Sequence, residues 1–533
     1  MLSSNMTIIY QGFGLLASSL VVLFLYKVTY ARKKFSNLPK PPDTLVFGHW
    51  LLLLREWMSS PKDMFPAYIL DGVRRKFDLP PIFFLDLYPM FPPVVVISDP
   101  KIARKITLED RAPRCPGVFQ PLKPAATRRW IETLSRDNWV KNHALFGVSF
   151  TAAHFVRMIP RMSEDLGPMV QMLVQYSQTG QVFKMEKMAK LAILEMTGRA
   201  IFARQLGTFA DHSEWSAAYD GAVSFISAAR NPFKRPFIMG KWRKRCQVFH
   251  ALIREEICAC FREQTSKVRP KPSLLHSSFT AYLGDKLPQF LSNPCQNGEM
   301  SEEYVQELVS SCAGAFLAAV SGSAALSYCL MLLHQHPNIA RRVQAEHDDI
   351  FSSDRNITLQ LLKTNPERLN QLVFTLAVVK ETLRLFSMGV ILRQPSSDTV
   401  ISNDGQIYSL RDHIVVLFHT AMHRRPDLFP EPDKFDPDRF MPGSRPKVPS
   451  DAWRPFEKGR GNCTGQELAL VQLKLVLLLV VREFDFELAY ESRSSRGPDI
   501  YGGPAYVTLS GTGPGPAGGM PMRVVQRLEL GPR

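Results

Sequence analysis

The sequence predicts a mainly α protein with small β-sheets, carried behind one N-terminal transmembrane helix. Three observations support this: long apolar runs of helical period, only a few short alternating stretches, and an uncharged start from Met1 to Tyr26. The 533 residues are 45% hydrophobic and 21% charged, enough apolar side chain for a large core, which excludes a disordered or fibrous chain.

The first element is the apolar run Ile8 to Tyr26, about 28 Å long as a helix and able to span a bilayer. Its positive charges, Lys27, Arg32, Lys33 and Lys34, follow it rather than precede it. That order favours a retained signal anchor over a cleaved peptide, with everything after Lys27 cytosolic. Residues 1–34 are therefore expected to be a membrane anchor with a basic flank. Leu38-Pro-Lys-Pro-Pro42 cannot continue a helix, so residues 35–45 are expected to form a Pro-rich hinge, leaving 46–533 as the catalytic domain.

Within that domain helical periodicity runs through Met162–Ser177, Met185–Ala203, Cys246–Glu263, Ser301–His334, Leu369–Leu385 and Gln466–Arg482. Strands are expected at Val94–Ser98, at Thr399–Ile401 with Gln406–Ser409 across an Asn403-Asp-Gly turn, and at Phe484–Leu488. There is no internal repeat, and low complexity appears only in the Gly/Pro-rich tail around Gly502 to Pro521.

A formal net charge of +16 suits an anionic membrane or an acidic partner. Nucleic acid is not expected, because no binding motif and no basic helix face interleaved with aromatics accompanies the charge. The stretch Asn231 to Arg245 mixes Phe233, Phe237, Ile238 and Trp242 with basic side chains. It reads either as a membrane-interface segment or as a solvated basic loop. Eight scattered cysteines without CxxC spacing are not a secreted disulfide framework, and most are expected to be reduced, buried apolar residues in a cytosolic domain.

The stretch that carries chemistry is Arg454-Pro-Phe-Glu-Lys-Gly-Arg-Gly-Asn-Cys-Thr-Gly-Gln-Glu-Leu-Ala469, which delivers Cys463 into the start of a long apolar helix. Free backbone N–H groups and the helix dipole there favour the thiolate, which is the form that binds iron. Gly459 and Gly461 allow a tight loop, Gly465 allows close approach to a flat macrocycle, and Phe456 is placed to shield the sulfur.

Through Phe456, Gly459, Cys463 and Gly465 this loop resembles the haem loop of cytochrome P450 enzymes, FxxGxxxCxG. Other family motifs follow in the family's order. Glu381-Thr-Leu-Arg384 has the ExxR form, and Phe435-Asp-Pro-Asp-Arg-Phe440 resembles the PxRF segment, so the resemblance implies a buried network of Glu381, Arg384 and Arg439. Trp139-Val-Lys-Asn-His143 is similar to the WxxxR helix that reaches a haem propionate, with His143 in place of arginine; Arg393 matches a second propionate position.

Beyond His143, the chain departs from the family pattern in three places. Registered on His336-Pro337, the oxygen helix has Ala318 for glycine, Val320 for the usual acid and Ser321 for threonine. Ser321 is thus the candidate catalytic alcohol, and its alternative fate is to bond back to its own helix. Gly461 stands where an arginine is usual, with Arg460 one place earlier. Leu385-Phe-Ser-Met388 lacks the prolines common after the ExxR helix.

The resemblance implies a haem b cofactor with iron on Cys463, the P450 fold and an NADPH-dependent reductase that could meet Lys458, Arg460 and Lys474. It further implies insertion of one oxygen atom from dioxygen into a lipophilic small molecule. Trp453-Arg-Pro-Phe-Glu-Lys and Gly-Gly-Met-Pro-Met522 are similar to fungal secondary-metabolism members of the sterigmatocystin and versicolorin type, which act on aromatic polyketides. An endoplasmic-reticulum location follows from the anchor. Two alternatives stay open: an oxygen-independent haem isomerase or dehydratase, motivated by Val320, and a tethered binding protein without catalysis.

Overall fold

The computed structural model describes residues 2–115, 123–126, 151–229, 231, 233–265, 273–283, 300–396, 399–403, 405–459, 461–490, 499–510 and 513–527. Trp139, His143 and Arg460 lie outside them. Two compact units are present, one comprising 1–61, 66–115 and 390–422, the other 62–65, 116–389 and 423–533.

The first unit opens with helix α1 (Leu2–Lys34), continuous through the apolar run. Its side chains from Leu20 to Tyr26 are exposed, whereas Val28, Arg32 and Phe35, four and then three residues apart, are buried. That spacing puts one face of the last turns against the unit. Arg32 donates to the carbonyls of Leu45 (3.0 Å), Val46 (3.0 Å) and Tyr88 (2.7 Å) and pairs with the buried Asp86. Phe35 meets Phe84 edge-on at 6.4 Å. Pro39 accepts the Phe84 N–H, and the Pro41 carbonyl is 2.9 Å from Nε2 of buried His49, so the Pro-rich segment is held along its length.

Helices α2 (Trp50–Ser59) and α3 (Pro66–Lys76) follow. The unit's sheet runs in the order Ile82–Leu85, Val94–Ile97, Ile414–Leu417, Ile391–Arg393, with the middle pair parallel and the outer pairs antiparallel. The first two strands are buried at every position and lack alternation, as strands covered on both faces do. The expected hairpin forms as Val400–Asn403 against Gln406–Ser409.

The second unit is the helical one. The expected Met162–Ser177 run is two helices, α4 (Ile159–Asp165) and α5 (Gly167–Thr179), because Gly167-Pro168 restarts the chain. Helix α6 (Met185–Phe202) packs on the later helix Ser321–Gln335, and α7 (Arg235–Thr265) extends well upstream of the expected Cys246 start. The Asn231 to Arg245 stretch is therefore largely helix rather than loop. Trp242 turns inward and donates its indole N–H to Ala222 O at 2.6 Å, leaving Phe233 and Phe237 exposed.

The Ser301–His334 run becomes α8 (Glu302–Ala319) and α9 (Ser321–Gln335). Together they are long and apolar enough to cross a membrane, yet 78% of the most apolar window is buried inside the protein, which makes this a core element. Helices α10 (Val373–Leu385) and α11 (Gln466–Val480) pack on α9 and on each other. From Leu470 to Val480 every residue of α11 is buried, so hydrophobicity rather than amphipathic period marks it. Part of the Gly/Pro-rich tail is ordered into strands: Val507–Ser510 pairs with Gly513–Pro516, and Pro521–Gln526 lies between Phe183–Lys184 and Phe484–Leu488.

Candidate active site

The cysteine loop takes its shape from local backbone chemistry. Gly459 and Gly461 sit at φ of 73° and 85°, left-handed conformations that glycine adopts without a Cβ penalty. The turn closes when the Cys463 N–H donates to Phe456 O at 2.8 Å and the Asn462 N–H to Gly459 O at 3.1 Å. Helix α11 begins three residues beyond the thiol, with the Ala469 N–H bonded to Gly465 O at 2.9 Å. A Cβ on Gly465 would stand 3.8 Å from the Cys463 sulfur, so a larger side chain there would extend from a point already touching it.

Buried charge holds this loop from below. Arg454 is 1% exposed, donates through Nε to Glu457 Oε1 at 2.7 Å, and gives its backbone N–H to His423 Nε2 at 3.0 Å. Glu457 also receives the Lys458 N–H at 3.0 Å. The Trp453 indole donates to Lys380 O of α10 at 3.1 Å, and its ring meets half-buried Phe456 edge-on at 6.0 Å. Sequence reasoning missed the Arg454–Glu457 pair and His423. The available signal was two opposite charges three residues apart inside a Phe/Gly-rich stretch.

The expected network is present beside α10. Glu381 and Arg384 are fully buried and joined by two bonds, Nε to Oε2 at 2.7 Å and Nη2 to Oε1 at 2.8 Å. Arg384 also donates to the carbonyls of His423 (2.7 Å), Pro432 (2.6 Å) and Lys434 (3.1 Å). Arg439 closes the group, its Nε 3.3 Å from Glu381 Oε1, and the Asp436 N–H adds a bond at 2.9 Å. Arg393 belongs to the first unit, where it is buried and donates to Ala112 O at 3.1 Å.

The α8–α9 junction presents Ala318 and Ser321 as exposed residues in the middle of a mostly buried element. Ser321 donates its hydroxyl to Ala318 O at 2.8 Å, and Ser323 bonds the Val320 carbonyl through both its N–H (2.9 Å) and its Oγ (2.6 Å). Three-residue bonds thus replace the regular helical ladder at this point, as serines in mid-helix often do.

Cysteine exposure separates the ligand candidate from the rest. Of the described cysteines, Cys115, Cys246, Cys260, Cys312 and Cys329 are buried, Cys258 is intermediate, and Cys463 is exposed. Burial pushes the thiols of Cys246, Cys260 and Cys329 up to about 12, leaving them protonated and inert. Phe456, the expected shield, is half-buried three residues upstream of the turn that carries Gly459 and Gly461. Among the described residues no three His, Cys, Asp or Glu side chains converge as a metal cluster. A single exposed thiol with Gly465 at its side would suit haem, whose iron Cys463 would hold.

Lys474 departs from expectation. Instead of facing a reductase, its ammonium lies 5% exposed inside the unit and donates to Leu369 O at 2.8 Å. Burial pulls it down to about 8, while Glu467 and Glu346 oppose the shift. The unfolded chain binds that proton more tightly, with a lysine value of about 10.4, so stability rises as pH climbs from about 8 to about 10.4. Lys474→Met is expected to stabilise the protein by about 1 kcal/mol near neutral pH. Thermal unfolding across pH 7 to 10 checks this, and the gain should shrink toward the alkaline end. Lys458 is engaged within its own loop, bonded to Ser450 O and 3.4 Å from Asp451.

Comparison with known proteins matches the cytochrome P450 family model over residues 39–501. The chain is 49% identical to cytochrome P450 monooxygenase ptmG of Penicillium ochrochloron, over 96% of this chain and 94% of that protein. It is 31% identical to cytochrome P450 monooxygenase ptmJ of the same fungus, over 98% of each. The solved structure of the cytochrome P450DA haem domain superposes with a TM-score of 0.73 at 20% identity, covering 92% of this chain and 97% of that one, which establishes the fold. With its cysteine loop, its buried Glu-Arg-Arg network and relatives matched over almost their whole length, the chain belongs to the cytochrome P450 family, as a monooxygenase.

Proposed function

We propose that the enzyme inserts one atom of dioxygen into a lipophilic small molecule of fungal secondary metabolism, using haem b bound through Cys463 and electrons from an NADPH-dependent reductase. The observation that carries this reading is the presentation of Cys463, the exposed thiol among the described cysteines, at the start of α11. When bound, haem supplies the iron that accepts electrons and activates dioxygen.

The chain's own residues divide the remaining tasks. Helix α11 favours the thiolate of Cys463 through its N-terminal N–H groups. Phe456 and the Gly459 and Gly465 backbone shape the surface around the sulfur. Glu381, Arg384 and Arg439 fix α10 to the later segment from His423 to Arg439, while Arg454 and Glu457 fix the cysteine loop. Trp139, His143, Arg393 and Arg460 stand as propionate partners on the resemblance. Ser321 is the alcohol at the broken turn: its proton is held on Ala318 O and its oxygen can accept from a water, so it can pass a proton without the acid that Val320 replaces. Helix α1 tethers the enzyme in the endoplasmic-reticulum membrane with the catalytic domain cytosolic, supported by its exposed apolar length. The relatives' names give a reaction class and no substrate, so the substrate is assigned only as lipophilic.

Turnover with isotopically labelled dioxygen, NADPH and a flavoprotein reductase tests the reading. One labelled oxygen per product is expected, whereas product formed without oxygen or reductase would favour a haem isomerase or dehydratase. Ser321→Ala is expected to lower product formation about tenfold while NADPH consumption persists. An unchanged rate would remove Ser321 from proton delivery.

A further inference from the structure

Trp453 and Arg454 open the cysteine loop, and both are held from outside it. Trp453 reaches α10 through its side chain, donating to Lys380 O at 3.1 Å. Arg454 is held through its backbone, whose N–H donates to Nε2 of His423 at 3.0 Å. His423 is fully buried, and its own carbonyl accepts from Nη1 of Arg384 at 2.7 Å. One residue therefore joins the Glu381–Arg384–Arg439 network, through its main chain, to the cysteine loop, through its ring.

Each contact has a defined polarity. A backbone N–H can only donate, so Nε2 of His423 accepts and carries no proton, which puts the ring proton on Nδ1. The imidazole packs edge-on against Phe429, with centroids 6.2 Å apart and planes at 79°. The Arg384 guanidinium carbon lies 5.1 Å from the centroid of the same Phe429 ring, so one aromatic side chain supports both groups. Beyond Arg454 the path continues along the loop in short steps. The Arg454 carbonyl accepts the Glu457 N–H at 3.1 Å, its Nε donates to the Glu457 carboxylate at 2.7 Å, and the Phe456 carbonyl accepts the Cys463 N–H at 2.8 Å. The Arg454 N–H is thus the point at which the buried frame holds the turn that carries the sulfur.

We infer that His423 is a positioning residue for Cys463: its imidazole acceptor fixes the register of the cysteine loop against the Glu381–Arg384–Arg439 frame, and so sets where the thiolate stands. The inference rests on Cys463 being the iron ligand. Groups that hold a metal ligand from behind orient it and govern its affinity for the metal. A role in folding alone would need the bulk and the carbonyl of residue 423, whereas positioning needs the ring acceptor.

The two tasks separate in experiment, because a side-chain substitution leaves in place the carbonyl that Arg384 uses. His423→Phe keeps a ring and removes the acceptor, while His423→Gln keeps an acceptor at the reach of Nε2. Full-length wild type and both variants are compared by helical content, by haem titration of the haem-free protein, and by the carbon-monoxide difference spectrum of the reduced, haem-loaded protein. His423→Phe is expected to keep wild-type helical content, to bind haem about tenfold more weakly and to lose most of the thiolate signature. His423→Gln should restore most of both. Wild-type affinity and signature in His423→Phe would overturn the inference and leave the Cys463 assignment standing, whereas a wild type without the signature would remove that assignment and the inference together. Equal losses in His423→Gln and His423→Phe would show that the ring's packing matters rather than its acceptor, and would also overturn it. If His423→Phe does not fold, His423→Leu, smaller and equally without an acceptor, takes its place. If neither folds, His423 serves the fold as a whole and the positioning role is wrong, whatever His423→Gln does.

Discussion

Arg384→Ala is expected to yield no recoverable haem-loaded protein. The guanidinium it removes is fully buried and neutralises the equally buried Glu381 while also serving three backbone carbonyls. Removing one partner of a buried pair costs about 3–5 kcal/mol, and each orphaned carbonyl adds about 1–3 kcal/mol. Against a total stability of about 5–15 kcal/mol for a folded domain, that sum is disabling. The check is soluble yield and haem content after expression. Arg384→Lys, which keeps the charge but cannot make the forked contact, should recover little. Normal yield of Arg384→Ala would mean that the network is dispensable.

Cys463→Ala should behave in the opposite way, retaining the fold and losing the chemistry. The residue is exposed and the turn around it is closed by backbone bonds, Cys463 N–H to Phe456 O and Asn462 N–H to Gly459 O, which alanine keeps. Thermal unfolding without cofactor is expected to shift little, within about 0.5 kcal/mol, as for other surface substitutions. Product formation should fall to background, since the strongly donating ligand is gone. The contrast between the two variants separates the residue that binds from those that hold the frame.

The parts of the fold legible in the sequence were those written in local chemistry. Gln466–Val480 and Met185–Phe202 follow directly from their apolar patterns, and the Asn403-Asp-Gly turn gave the hairpin Val400–Asn403 with Gln406–Ser409. Elements whose identity depends on partners distant in the chain were not legible. Ile82–Leu85 and Ile414–Leu417 are short apolar runs indistinguishable from helix segments until the sheet brings them to Val94–Ile97. Composition also misleads about orientation. Lys474 is basic yet faces the interior because α11 is buried on every side, and Trp242, in a run of basic residues, turns to Ala222. At the site, Glu381, Arg384 and Arg439 were readable through motif order, whereas Arg454–Glu457 was not, because a pair three residues apart is common on any surface and only its burial gives it weight.

The most direct measurement is the carbon-monoxide difference spectrum of the reduced, purified full-length protein, taken on wild type and on Cys463→Ala. Wild type is expected to show the thiolate–haem signature and the variant to lose it, with the helical content of the two unchanged. A wild-type spectrum without that signature, or a variant that keeps it, would contradict the assignment of Cys463 as the iron ligand.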